Sequence, residues 1–166
     1  MIINFFVNRC KDQTNRKLFG LCDDRPNQRA YLDENDGTKW IAVVVNEYLF
    51  NVIFTAIDNC IETKRSDGKM DKRCDGFLVY ESTIIFVELK EIGGFSSNWV
   101  QDGEQQIRSS LKYFEITSEA ENYSIKKAYI ANNEHPKART SQAVRMDRFL
   151  NETGYILRIE NRIILE

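Results

Sequence analysis

The stretch CDGFLVYESTIIFVELK, residues 74–90, sets Asp75, Glu88 and Lys90 on two otherwise apolar runs. Two carboxylates beside an amine can hold a hard divalent cation and stabilise charge on a phosphate under attack. Mg²⁺ suits such a pair, because it binds through one or two carboxylates and keeps several waters. Without a cation, two carboxylates this close repel, and one of them should resist ionisation.

The chemistry depends on the hairpin. With Glu81-Ser82 as its loop, Tyr80 faces Thr83, Phe77 faces Phe86 and Asp75 falls opposite Glu88. Opposed side chains share a face with Cβ atoms roughly 4.5–5.5 Å apart. Lys90, two residues beyond Glu88, projects from that same face. A four-residue loop from Tyr80 to Thr83 keeps this register, whereas a three-residue loop sends Asp75 and Glu88 to opposite faces.

Around the hairpin the pattern predicts a short strand over residues 2–7 and a polar, poorly periodic stretch to about residue 37. Thr38 is a candidate cap for a long buried helix over 39–58, KWIAVVVNEYLFNVIFTAID. Its polar exceptions Glu47, Asn51, Thr55 and Asp58 form one stripe at helical spacing. A short strand near 60–64, the hairpin, a helix over 101–117 and a strand over 124–133 follow. A helix over 141–153 and one or two last strands complete the chain. The fold class expected is α/β, a mixed central β-sheet flanked by helices on both faces. One domain over 1–166 accommodates it.

Composition narrows the function. The chain has 166 residues and a formal charge of −2, which excludes a uniformly basic nucleic-acid binder. Basic residues cluster all the same: Lys64, Arg65, Lys69, Lys72 and Arg73 before the hairpin, and Lys137, Arg139, Arg145 and Arg148 near the end. Such clusters are solvated loops or phosphate contacts. Four cysteines without a C-x-x-C pair and one histidine, His135, argue against a zinc site and histidine-based nucleophilic catalysis. Reduced thiols are expected. No apolar run is long enough for a membrane span and no basic leader is visible, so a cytoplasmic protein is the expectation.

At CDG (Asp75) and VELK (Glu88, Lys90) the chain resembles the PD-(D/E)XK nuclease superfamily, whose restriction-endonuclease-like core runs αβββαβ. The resemblance covers residues 38–132. It implies Mg²⁺ (Mn²⁺ as a substitute) held by Asp75, Glu88 and the Leu89 carbonyl, with Lys90 assisting the attacking water. It also implies a further glutamate on the first core helix, for which Glu47 is the candidate, and solvent exposure is the competing reading of that residue. A glutamine on the next helix, Gln105 or Gln106, would contact nucleic acid. Two features depart from the pattern: Cys74 stands where the motif has proline, and Ser109 and Ser110 occupy the tyrosine positions of the Gln-x-x-x-Tyr form.

Three functions follow as expectations. The first is a metal-dependent nuclease acting on nucleic acid, DNA foremost, with a homodimer suited to cutting both strands. The second is an inactive nuclease-like domain that binds a protein or nucleic acid. In the third the charges are structural, an ion pair between Lys90 and Glu88.

Overall fold

The computed structural model describes residues 2–24, 26–91, 98–134 and 142–166. Ten strands and two α-helices are assigned there: β1 Lys11–Thr14, β2 Leu18–Cys22, β3 Tyr31–Asp33, β4 Ala42–Val45, β5 Val52–Ala56, β6 Gly76–Tyr80, β7 Thr83–Lys90, α1 Trp99–Phe114, β8 Ile125–Asn132, α2 Ala143–Thr153, β9 Ile156–Arg158 and β10 Arg162–Ile164. They build two mixed sheets. One runs β1-β5-β6-β7-β8-β9, and the other runs β10-β4-β2-β3. In the larger sheet β7, β8 and β9 are parallel, while β1, β5, β6 and β7 alternate in direction.

The central strands bury both faces, and their side chains sort strictly by parity. Phe77, Ile84, Phe86, Ala128 and Ile130 enter one core with Ile107, Leu111 and Phe114 of α1 and Phe149 of α2. Leu78, Ile85, Val87, Tyr129 and Ala131 enter a second core with Phe19, Leu21, Val44 and Ile163 of the smaller sheet. Double burial explains why β7 reads as one unbroken apolar run before Glu88. Both described helices thus lie on the same face, and the smaller sheet covers the other. This corrects the expectation of helices on both faces.

The largest correction is residues 39–58. No long helix forms there: Gly37–Lys39 makes a single 3₁₀ turn, and β4 and β5 follow, joined by a turn at residues 46–51. The segment is rich in Val, Ile and Thr, stiff side chains that favour pleated surfaces. Asn46 breaks the run. Its buried side chain bonds the Arg16 and Phe50 carbonyls and accepts from the Phe50 N–H, fixing the reversal. Leu49 completes it at φ 55°.

Other boundaries also shift. Residues 2–7 form no strand, although Ile3 and Phe5 are buried in the helix-side core. The strand expected near 60–64 is reduced to one bridge, Lys64 with Met70. The unreadable stretch 8–37 holds β1, β2 and β3. Cys10 and Cys60 form a disulfide with Cα atoms 5.9 Å apart, against the expectation of reduced thiols, while Cys22 and Cys74 are free and buried. Among the described residues no helix is long and apolar enough to cross a membrane.

Candidate active site

The β6–β7 hairpin has the two-residue loop on which the chemistry depends. Tyr80 pairs with Thr83, Phe77 with Phe86 and Gly76 with Val87, so the next opposed couple is Asp75 and Glu88. Glu81 turns the chain at φ 48°, the left-handed conformation that a tight hairpin needs and that glutamate rarely signals. Glu88 and Lys90 continue the helix-covered face of Ile84 and Phe86, and Asp75 stands just past the last paired residue of β6.

Gly76 supports this end of the sheet. A Cβ there would meet the Thr55 carbonyl oxygen at 2.4 Å and the Phe54 ring at 2.6 Å, so only glycine lets β5 and β6 close beside Asp75.

Asp75 and Glu88 are 6% and 3% exposed, yet both are ionisable. Asp75 Oδ2 accepts the Leu89 N–H at 2.7 Å, and Glu88 Oε2 accepts the Asp75 N–H at 3.2 Å. Lys90 Nζ lies 3.1 Å from Glu88 Oε1 and donates to Gln106 Oε1 at 2.7 Å. Asp75 has no ion-pair partner among the described residues. Instead Asp23, the residue just past β2 on the smaller sheet, is close enough to act on its carboxyl. Burial, then Glu88 and Asp23, drives the Asp75 pKa well above the carboxylate range. Burial lifts Glu88 from 4.5 to about 7, with Lys90 pulling the other way.

These shifts make stability depend on pH. The folded protein binds a proton at Glu88 that the unfolded chain has released, so stability falls as pH rises through this window. Between pH 4.5 and about 7, the metal-free protein should lose about 3 kcal/mol through Glu88. Urea unfolding at pH 5 and pH 7.5 measures this, and Glu88→Gln should reduce the difference, leaving the share that the raised Asp75 contributes. An equal slope in that variant would place the proton elsewhere.

A cavity of about 380 Å³ opens beside Lys90, lined by Asp58, Asp71, Lys72, Arg73, Lys90, Asp102 and Gln106, with Asp75 and Glu88 outside its lining. The first turns of α1 deliver Gln106 and Asp102. Both glutamines are engaged: Gln105 accepts from Lys72 at 2.7 Å and Gln106 from Lys90. Cys74 and Ser110 are coupled. The Cys74 N–H donates to Ser110 Oγ at 2.9 Å, tying the start of β6 to α1. A proline at residue 74 has no N–H to give.

The other candidates divide. Glu47 is exposed on the β4–β5 turn, 3.1 Å from Lys17 and at the opposite end of β5 from Asp75, so it does not join the carboxylates. Three expected phosphate contacts already meet carboxylates: Lys64 with Glu62, Arg65 with Asp67 and Arg73 with Asp58, each at 3.1 Å. Lys69 is exposed. Arg145 on α2 binds Glu104 of α1 at 2.6 Å, and Arg148 is exposed on the same helix. Lys137 and Arg139 lie outside the described residues.

Asp23 is the residue that sequence reasoning missed, because nothing in its neighbourhood predicts that the end of β2 reaches β6. Among the described residues no three His, Cys, Asp or Glu side chains form a ready metal centre. The donor set is the Asp75–Glu88 pair with Leu89, the residue after Glu88 on β7. Two buried carboxylates share one adjacent ammonium, a charge imbalance that a divalent cation would remove. No family model, curated protein or solved structure matches the chain.

Proposed function

We propose that the protein is a metal-dependent nuclease that hydrolyses phosphodiester bonds of nucleic acid, most simply DNA. The observation that carries this reading is the convergence of Asp75, Glu88 and Lys90 at one strand end, where the carboxylates are buried and Lys90 lines a polar cavity. The order β5-β6-β7-α1-β8, with β7 and β8 parallel, supports a restriction-endonuclease-like βββαβ core in which β4 and its turn stand in place of the first helix. Asp75, Glu88 and the Leu89 carbonyl would hold Mg²⁺ or Mn²⁺. Bound there, the ion would supply Lewis acidity toward a phosphate oxygen and help activate water. Lys90, kept in place by Glu88 and Gln106, would stabilise negative charge developing on the phosphoryl oxygens. A homodimer would bring two such sites to a duplex. A cytoplasmic location fits only if the Cys10–Cys60 bond survives or is dispensable in a reducing compartment.

A non-cleaving binding domain is the second reading, favoured by the backbone N–H groups that already engage both carboxylates. Calorimetric titration with Mn²⁺ separates the two. Wild type should bind in the micromolar to millimolar range, and a folded Asp75→Asn, Glu88→Gln double variant should not. Absence of binding in wild type with nucleic acid present would remove the metal-dependent reading.

A further inference from the structure

The cavity holds two lysines, and the helix beside it matches each with a glutamine. Lys90 donates to Gln106 and Lys72 to Gln105, both at 2.7 Å. The adjacent glutamines put both ammonium groups along one stretch of α1. Lys72 differs from most of its basic neighbours. Lys64, Arg65 and Arg73 each meet a carboxylate, and so does Lys112, which binds Asp71 at 3.0 Å. Lys72 lines the cavity, is exposed, and has a neutral amide as its partner. Exchanging an amide oxygen for an anionic one strengthens such a bond, because a full opposite charge adds Coulomb attraction to the ammonium.

We infer that Lys72, held by Gln105, is a second phosphate seat, which takes the phosphodiester next to the one facing Lys90. This rests on the nuclease reading and deepens it. The substrate is then a strand with at least two consecutive phosphodiesters, not a single phosphate ester. Of the basic residues before the hairpin, Arg73 serves the turn instead, because it binds Asp58 and the Ile61 carbonyl. Lys69 lies outside the cavity lining and contributes only diffuse charge.

The test is fluorescence anisotropy with labelled thymidine oligonucleotides carrying one, two or three phosphodiesters. Binding is measured in Ca²⁺, a hard oxygen-seeking ion, at several salt concentrations. Wild type should gain about tenfold in affinity between one and two phosphodiesters and little at the third, consistent with one charge-assisted contact. Lys72→Met should lose that step and lower the salt slope by about one. Lys69→Met should weaken all three lengths by a similar, smaller factor. A step that survives in Lys72→Met, or is lost equally in Lys69→Met, overturns the second seat while leaving the nuclease reading intact. Failure of wild type to bind any of the three overturns both.

Discussion

Lys90→Met should lower the rate of cleavage by about 10²–10³, the usual cost of removing one group that stabilises transition-state charge. It should leave Mn²⁺ binding in place, because the carboxylates remain. The same substitution has a consequence that does not depend on catalysis. Lys90 Nζ is the cation beside Glu88, whose side chain is 4% exposed. Removing one partner of a buried pair destabilises by about 3–5 kcal/mol when the remaining charge persists. Glu88 can escape that penalty by taking up a proton, and without Lys90 its pKa moves above the present value of about 7. The loss should therefore be small at pH 5.5, where Glu88 is already protonated, and grow to a few kcal/mol by pH 8. Adding Glu88→Gln should cancel most of it, the signature of a direct pair in a double-mutant cycle. Urea unfolding of the four proteins at the two pH values gives every term. Equal losses at both would mean that Lys90 acts through packing.

The second large effect concerns Cys10 and Cys60, which lie 50 residues apart in sequence. Closing a loop of that length stabilises a fold by about 4 kcal/mol when the unfolded chain bears the constraint. A Cys10→Ser, Cys60→Ser variant, or wild type treated with a phosphine reductant, should melt about 10 °C lower. The bond also secures the turn at Ile57–Ile61, where the Cys60 N–H and the Ile61 N–H both donate to the Ile57 carbonyl. That turn presents Asp58 to Arg73 at the mouth of the cavity. Loss of the tie should thus weaken oligonucleotide affinity as well as stability. Thermal unfolding alongside thiol titration decides the matter. An unchanged melting temperature in protein shown to carry four free thiols would dismiss the disulfide as a stabilising element.

The part of the site that could be read in advance is the part governed by local geometry. Alternation and a two-residue loop were enough to bring Asp75, Glu88 and Lys90 together, because a strand has a side-chain period of two and the loop determines the pairing. Helix α1, strand β8 and helix α2 likewise lie close to their predicted ranges, since amphipathic periodicity and length carry them. The failures arise where the information is not local. Residues 39–58 are apolar on all sides, whether as one helix or as two doubly buried strands, and β-branching was the clue that length outweighed. Which sheet face receives a helix is not encoded by a strand that is apolar on both faces. Asp23 reaches Asp75 only because β2 joins a separate sheet, and Glu47 misses it because the expected helix is a turn.

Strand β10 pairs in parallel with β4, Arg162 opposite Val43, and Leu165 donates its N–H to the Val45 carbonyl. On a ribosome, β4 would emerge more than a hundred residues before its neighbour, while β6 and β7 can zip as soon as their loop is made. The nascent chain therefore carries an unprotected strand edge beside Val43–Val45 until residues 162–164 arrive. The hairpin with the carboxylates can form early, but the sheet that covers its other face is completed late. Full assembly of that second core is thus a late event in synthesis, whatever the order in which the remaining elements fold.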